Sequence, residues 1–137
     1  YDVPDRVARF VTGTNPIPWG PWRSVDHTQH GFFIESFIDE LAFAARQDPL
    51  AFRLVHLGNA PRHRAVLEKV GQMAGWTTPA PAGRARGVAM REAFGTILAQ
   101  VAEVSIGDDG RARASAGVNT GAFLGLLGAG SAAGATG

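Results

Sequence analysis

Apolar and polar positions alternate along this chain in three different rhythms, and each predicts a different kind of structure. Residues 3–12, with Arg6-Val-Ala-Arg-Phe-Val, alternate well enough for a short strand. The following Asn15-Pro-Ile-Pro-Trp-Gly-Pro supports neither helix nor central strand, because its prolines remove backbone donors and fix φ. From Phe32 the period lengthens. Phe33, Phe37, Ile38, Leu41 and Ala45 form a helical stripe, with Glu35, Asp39, Glu40 and Arg46 off it as a solvated or interface side. Asp48-Pro49 reads as an N-cap followed by proline at the first helical position, and Gly58 ends that short helix. Pro61 opens a third helix with Val66, Leu67, Val70 and Met73 inward, stopped at Gly75. Beyond a Thr/Pro/Ala connector at 77–83, residues 86–91 and 97–106 return to a strand rhythm, and Gly107-Asp-Asp-Gly110 signals a hairpin turn. The order is a short strand, three helices, then antiparallel strands, which predicts an α+β fold.

Composition changes this picture mainly at the end of the chain. The 137 residues suit one small domain with a modest core. A hydrophobic share of 45% and a charged share of 18% read as globular. A net charge of +1 gives no reason to expect nucleic acid or an anionic membrane surface. Without cysteine the chain builds no disulfide, thiolate zinc site or iron–sulfur cluster, which leaves its compartment undecided between cytoplasm and periplasm. The first residue is Tyr1, with no signal peptide after it, so the chain is expected to be an internal piece of a longer protein. Residues 114–137 are largely glycine and alanine and carry no charge, and are expected to be disordered or translated out of frame. Gly128-Ala-Gly-Ser-Ala-Ala133 matches a dinucleotide-loop pattern, but no room remains for the helix and acidic residue that such a loop needs. The glycines also dilute the hydrophobicity of this stretch below that of a membrane span.

The candidate chemistry centres on Trp19-Gly-Pro-Trp-Arg-Ser-Val-Asp-His-Thr-Gln29, a stiff loop that runs into the first helix. A guanidinium at Arg23 beside the exposed amides of a helix start suits an oxyanion. The plainer reading is a local ion pair with Asp26. Gln29 offers a side-chain amide, or is an ordinary surface glutamine. Trp19 and Trp22 are expected to pack as walls, with aromatic substrate contact the second option. His27, His30, His56 and His63 lack the convergent spacing of a metal site, and Arg62-His63-Arg64 is too small a basic cluster for nucleic acid. No serine has a nucleophile-elbow context. From residues alone this is an α+β piece with one anion-binding loop.

The chain also resembles a known family. Trp22-Arg-Ser-Val, Phe32-Phe-Ile-Glu-Ser-Phe-Ile-Asp-Glu-Leu-Ala42, Asp48-Pro-Leu-Ala-Phe-Arg-Leu54, Ala60-Pro-Arg-His-Arg-Ala-Val-Leu67, Gly75-Trp76, Arg86-Gly-Val-Ala89, Phe94-Gly95 and Ala99-Gln-Val-Ala-Glu-Val104 carry the likeness. In order and spacing they are similar to molybdenum hydroxylase large subunits of the xanthine dehydrogenase and aldehyde oxidase class, in the branch of the isoquinoline 1-oxidoreductase beta chain. The resemblance implies that residues 1–113 are part of a larger molybdopterin-binding domain and that 114–137 lie outside it. It implies a molybdenum–molybdopterin cofactor, in the cytosine dinucleotide form, contacted by Arg23, Ser24 and Gln29. Val25, Phe94 and Gly95 would line the substrate pocket, with Leu98 a weaker candidate. Asp26 departs from the family's glycine. The implied reaction is hydroxylation of an aldehyde or N-heterocyclic aromatic, with an iron–sulfur small subunit and the remainder of the large subunit as partners. The family's glutamate base has no match here, so no residue of this chain is assigned a catalytic or metal-ligating role, and the fragment alone would be inactive. The apolar face of the helix from Phe32 would then need the remainder to cover it. A non-catalytic α+β binding module whose Arg23 loop grips another anion is the alternative.

Overall fold

A computed structural model describes residues 1–18, 20–123 and 131–132. Three helices precede an antiparallel sheet: α1 (His27–Ala44), α2 (Pro49–Val55), α3 (Pro61–Met73), then β1 (Arg84–Ala93), β2 (Thr96–Ile106), β3 (Ala112–Phe123) and the short β4 (Ser131–Ala132), paired in that order. The α+β order expected from the sequence is therefore present.

The helix boundaries follow from capping chemistry. At α2, Asp48 accepts a hydrogen bond from the Ala51 amide at 2.8 Å, and Pro49 occupies the first turn, where no donor is needed. At the end of α3, Gly75 takes φ 57° and the Trp76 amide reaches back to the Gly71 carbonyl at 2.9 Å, satisfying a terminal acceptor. The same closure ends α1, where the Gln47 amide bonds the Ala42 carbonyl. There the left-handed position is held by Arg46 at φ 54° instead of glycine.

The strands are organised by two turns. Phe94 and Gly95 form a two-residue hairpin with φ 50° and 80°, pairing Ala93 with Thr96. Two consecutive positive φ values match the right-handed twist of the flanking strands. The turn at 107–110 closes through the Gly110 amide on the Gly107 carbonyl, with Gly110 at φ 73°, and β3 continues from Ala112 to Phe123. Along β2, Ile97, Ala99, Val101 and Glu103 face inward at period two. The core joins this face and Val88 and Met90 of β1 to Leu50 of α2, Leu57 of the turn after it, and Val66, Leu67 and Val70 of α3. Fully burying a side chain such as Leu67 or Ile97 contributes about 1.5–3 kcal/mol. Glu103 enters this face neutralised, since Arg84 and Arg86 on the neighbouring strand donate to its two oxygens at 2.7 and 2.8 Å.

Three sequence expectations are corrected. Residues 6–15 have no regular structure, and no ladder forms over residues 3–12: they pair with no described strand, and on the open edge of β1 the Met90 amide is taken by Glu35 of α1. In α1 the inward residues are Glu35, Ile38 and Ala42, whereas Phe33 and Phe37 are 59% and 58% exposed. The helix is turned so that a charged residue, not the phenyl row, meets the sheet. In α3 Gly71 is buried and Met73 lies at the surface. The absent side chain at Gly71 leaves room for Leu50 of α2. No helix among the described residues is long and apolar enough to cross a membrane. Trp19 and most of the Gly128–Ala133 dinucleotide-like pattern lie outside the described residues.

Candidate functional site

The loop before α1 is folded on itself. Ser24 and Val25 both take positive φ, 70° and 51°, a conformation a β-branched valine rarely adopts. This tight turn is closed by the Val25 amide on the Trp22 carbonyl at 3.0 Å and the His27 amide on the Ser24 carbonyl at 2.9 Å. The Thr28 hydroxyl adds a bond to the Arg23 carbonyl at 3.3 Å. The turn throws side chains outward: Arg23 and Gln29 are exposed, Val25 is 67% exposed, and Ser24 is half-buried. Trp22 is exposed as well, correcting the expectation that it packs as a wall. Asp26 sits at the N-cap position without capping an amide and lies 3.4 Å from His30, so the carboxylate expected to pair with Arg23 is turned to a histidine.

His27 points the other way, toward the sheet. Its ring meets Phe94 edge to face with centroids 5.0 Å apart, and its Nδ1 lies 3.2 Å from Arg91 Nη2. Since the guanidinium has only donors, Nδ1 is the acceptor and the ring proton is on Nε2. The Arg23–Gln29 loop and the Phe94-Gly95 turn, about seventy residues apart in sequence, are thus joined through one aromatic contact. Around it opens a cavity of about 500 Å³ whose lining includes His27, Arg91, Phe94, Gly95, His63 and Glu92. Of the residues the sequence singles out, Phe94 and Gly95 line this cavity, while Arg23, Ser24, Val25 and Gln29 line neither it nor the smaller one beside it. Leu98 lines that second cavity, of about 360 Å³. His63 reaches the Glu92 carboxylate at 2.8 Å. Among the described residues, no group of three or more histidines or acids converges as a metal site would require.

Glu35 and Tyr1, which line the cavity, belong to a charge cluster centred on Arg53. Arg53 is fully buried in α2. It donates to Glu35 Oε2 at 3.0 Å, the Glu35 carbonyl at 3.0 Å, Asp39 at 2.5 Å and the Pro49 carbonyl at 3.1 Å. Burial works against its charge, but the hydrogen bond to Asp39 and the field of Glu35 outweigh it and raise the Arg53 pKa. Glu35 also accepts from the Tyr1 hydroxyl at 3.0 Å and the Met90 amide at 3.0 Å. Burial, then the Glu35 charge, push the Tyr1 phenol well above its ordinary value of 10.0. The apolar pattern of the sequence puts Glu35 on a solvated side and does not single out Arg53 or Arg91. A signal exists nonetheless: Leu50, Arg53, Leu54 and Leu57 fall on one helical stripe, as do Glu35, Ile38 and Ala42.

Set against known proteins, the chain is similar to parts of two curated oxidoreductase subunits. It is 33% identical over 107 residues to the beta chain of isoquinoline 1-oxidoreductase from Brevundimonas diminuta, a match that covers 76% of this chain and 14% of that protein. It is 37% identical over 77 residues to a nicotinate dehydrogenase subunit of Pseudomonas putida, covering 56% of this chain and 6% of that protein. The chain therefore spans only a small part of the length of either relative. No protein-family model matches it, and no solved structure does.

Proposed function

We propose that this partial homologue of oxidoreductase subunits is a segment of the large subunit of a molybdenum hydroxylase, one that oxidises an N-heterocyclic aromatic or an aldehyde. The observation that carries the reading is the His27–Phe94 contact. It joins a cofactor-side loop to a pocket-side turn in a chain whose matched relatives are named for isoquinoline and nicotinate. The exposed rings of Phe33 and Phe37 support a remainder of the large subunit that covers α1.

The fit to a pterin cofactor rests on side chains. The amides of Val25 and His27 are spent on the turn itself, while Arg23 projects outward and is free of the Asp26 ion pair. Arg23 would hold an anionic group of the cofactor, and the Ser24 hydroxyl and Gln29 amide would donate to its polar edge. When bound, the cofactor supplies the nucleophilic oxygen and takes up the electron pair. This chain's part is to orient: Phe94, braced edge to face against His27, and Gly95 would form a wall for a flat substrate, while Val25, which lines neither cavity, would meet the substrate from the Arg23 loop. The electrons would pass to an iron–sulfur partner subunit.

The test is a chimera. Residues 1–113 of this chain replace the matched segment of the isoquinoline 1-oxidoreductase beta chain, coexpressed with its partner, and bound molybdenum is measured by elemental analysis. The expected result is metal content near that of the parent, reduced by Arg23→Ala. A well-folded chimera without molybdenum overturns the proposal, and unchanged occupancy in the alanine variant removes Arg23 from the cofactor contact.

A further inference from the structure

Arg91 is the one residue at the cavity whose charge has no answer among the described residues. Glu35 is neutralised by Arg53, and Glu92 is engaged by His63. Arg91 has no carboxylate partner among the described residues, and the hydrogen bond it makes runs from Nη2 to the neutral ring of His27. Its Nε is shut away from solvent with no acceptor among the described residues. The stem passes Gly31 of α1, its Cγ and Cδ 3.9 Å from where a Cβ at that position would stand. Nε is as closed to a ligand as to water, but Arg91 also lines the cavity, and a half-buried guanidinium without a carboxylate is costly unless an anion meets it there.

The surroundings decide which anion. Ile34, Leu57, Ala60, Met90 and Phe94 give the cavity apolar walls, and about 500 Å³ is ample for a ligand larger than a simple ion. The carboxylates of Glu35 and Glu92 line the same space and disfavour a second negative charge. His27 Nε2–H adds one neutral donor on the wall. We infer that Arg91 and His27 bind the carboxylate of a small monocarboxylate whose compact apolar body rests against Phe94. The inference shares Phe94 with the substrate wall proposed above but needs neither Arg23 nor a cofactor, so its test and the chimera test fail separately.

The experiment uses the full 137-residue chain and three probes: benzoate, acetate and inorganic phosphate, with binding followed by calorimetry and by ligand-observed NMR. Benzoate is expected to bind at least tenfold more tightly than acetate, with phosphate no better than acetate. Arg91→Met is expected to weaken benzoate about 10- to 100-fold, the range for losing a charged hydrogen bond, and Arg91→Lys to fall between. Phe94→Asn, which suits the left-handed turn but removes the ring, should bring the benzoate-to-acetate ratio toward one. Benzoate binding unchanged in a folded Arg91→Met variant overturns the inference. So does phosphate matching benzoate, or no benzoate binding to the wild-type chain. If Arg91→Met fails to fold, as judged by circular dichroism, an unaltered ratio in Phe94→Asn overturns it instead.

Discussion

Replacing Arg53 with methionine preserves most of the stem's volume and removes all its hydrogen-bond donors. Asp39 is about half exposed and returns to water at little cost, so the loss falls on Glu35, whose side chain is 9% exposed and keeps only the Tyr1 hydroxyl and the Met90 amide. Breaking a buried pair by deleting one partner costs about 3–5 kcal/mol, because the remaining charge is neither solvated nor compensated. With a urea m value of about 2 kcal/mol/M, the unfolding midpoint should drop by about 1.5–2.5 M. Adding Glu35→Gln removes the stranded charge while leaving an amide oxygen for Tyr1 and Met90. The double variant should therefore be more stable than Arg53→Met alone by about 1–3 kcal/mol, a coupling expected of residues in direct contact. Equilibrium urea denaturation of the four proteins, followed by far-UV circular dichroism, measures the cycle. A loss below about 1 kcal/mol for Arg53→Met, or a double variant no more stable than that single one, would refute the claim that this cluster ties α1 to the body.

Two further outcomes follow from local geometry. Arg46→Gly should raise stability by about 0.5–1 kcal/mol, since the left-handed C-terminal position of α1 penalises a side chain by more than glycine's added chain entropy; thermal unfolding of the exposed-site variant checks it. The raised Tyr1 phenol means the folded state holds a proton that the unfolded chain releases near 10, so stability should fall as pH climbs past 10. Tyr1→Phe should remove that extra slope while leaving the neutral-pH transition intact apart from one lost hydrogen bond, and denaturation midpoints between about pH 8 and 11 would show it.

The elements legible in the sequence are those specified by local chemistry. Asp48-Pro49, Pro61 and Gly75 act within one or two turns of themselves, and the structure uses each as its chemistry predicts. Residues 3–12 have a strand's alternation, but a strand also needs a partner edge, which no local pattern supplies. The face of α1 is hidden for a related reason. Hydrophobic periodicity puts phenylalanines inward, and here Glu35 is drawn in by a guanidinium on another helix, an attraction that apolar patterning does not register. The site is legible in part. Phe94 and Gly95 line the main cavity, whereas His27, His63, Arg91 and Glu92 become neighbours only when the β1–β2 hairpin and the starts of α1 and α3 converge.

That convergence depends on one row of α1. His27, Gly31 and Glu35 are each four residues apart, so they stack on a single helix face spanning about 12 Å. Each meets the same short piece of β1: Glu35 takes the Met90 amide, Gly31 lies against the Arg91 stem, and His27 receives the Arg91 guanidinium. Glu35 is in turn fixed by Arg53 from α2. The charge cluster and the cavity are therefore two ends of one lever. Anchoring Glu35 sets the rotation of α1, and that rotation carries His27 onto Phe94 and leaves Phe33 and Phe37 outside. Turning the helix by about 100°, one residue's worth of rotation, to bury the phenyl row would remove the Arg53 contact and pull His27 off the hairpin in the same motion. The polar clamp thus prevails over the apolar stripe because it is joined at both ends, while the phenyl rings have no described surface of this chain to meet.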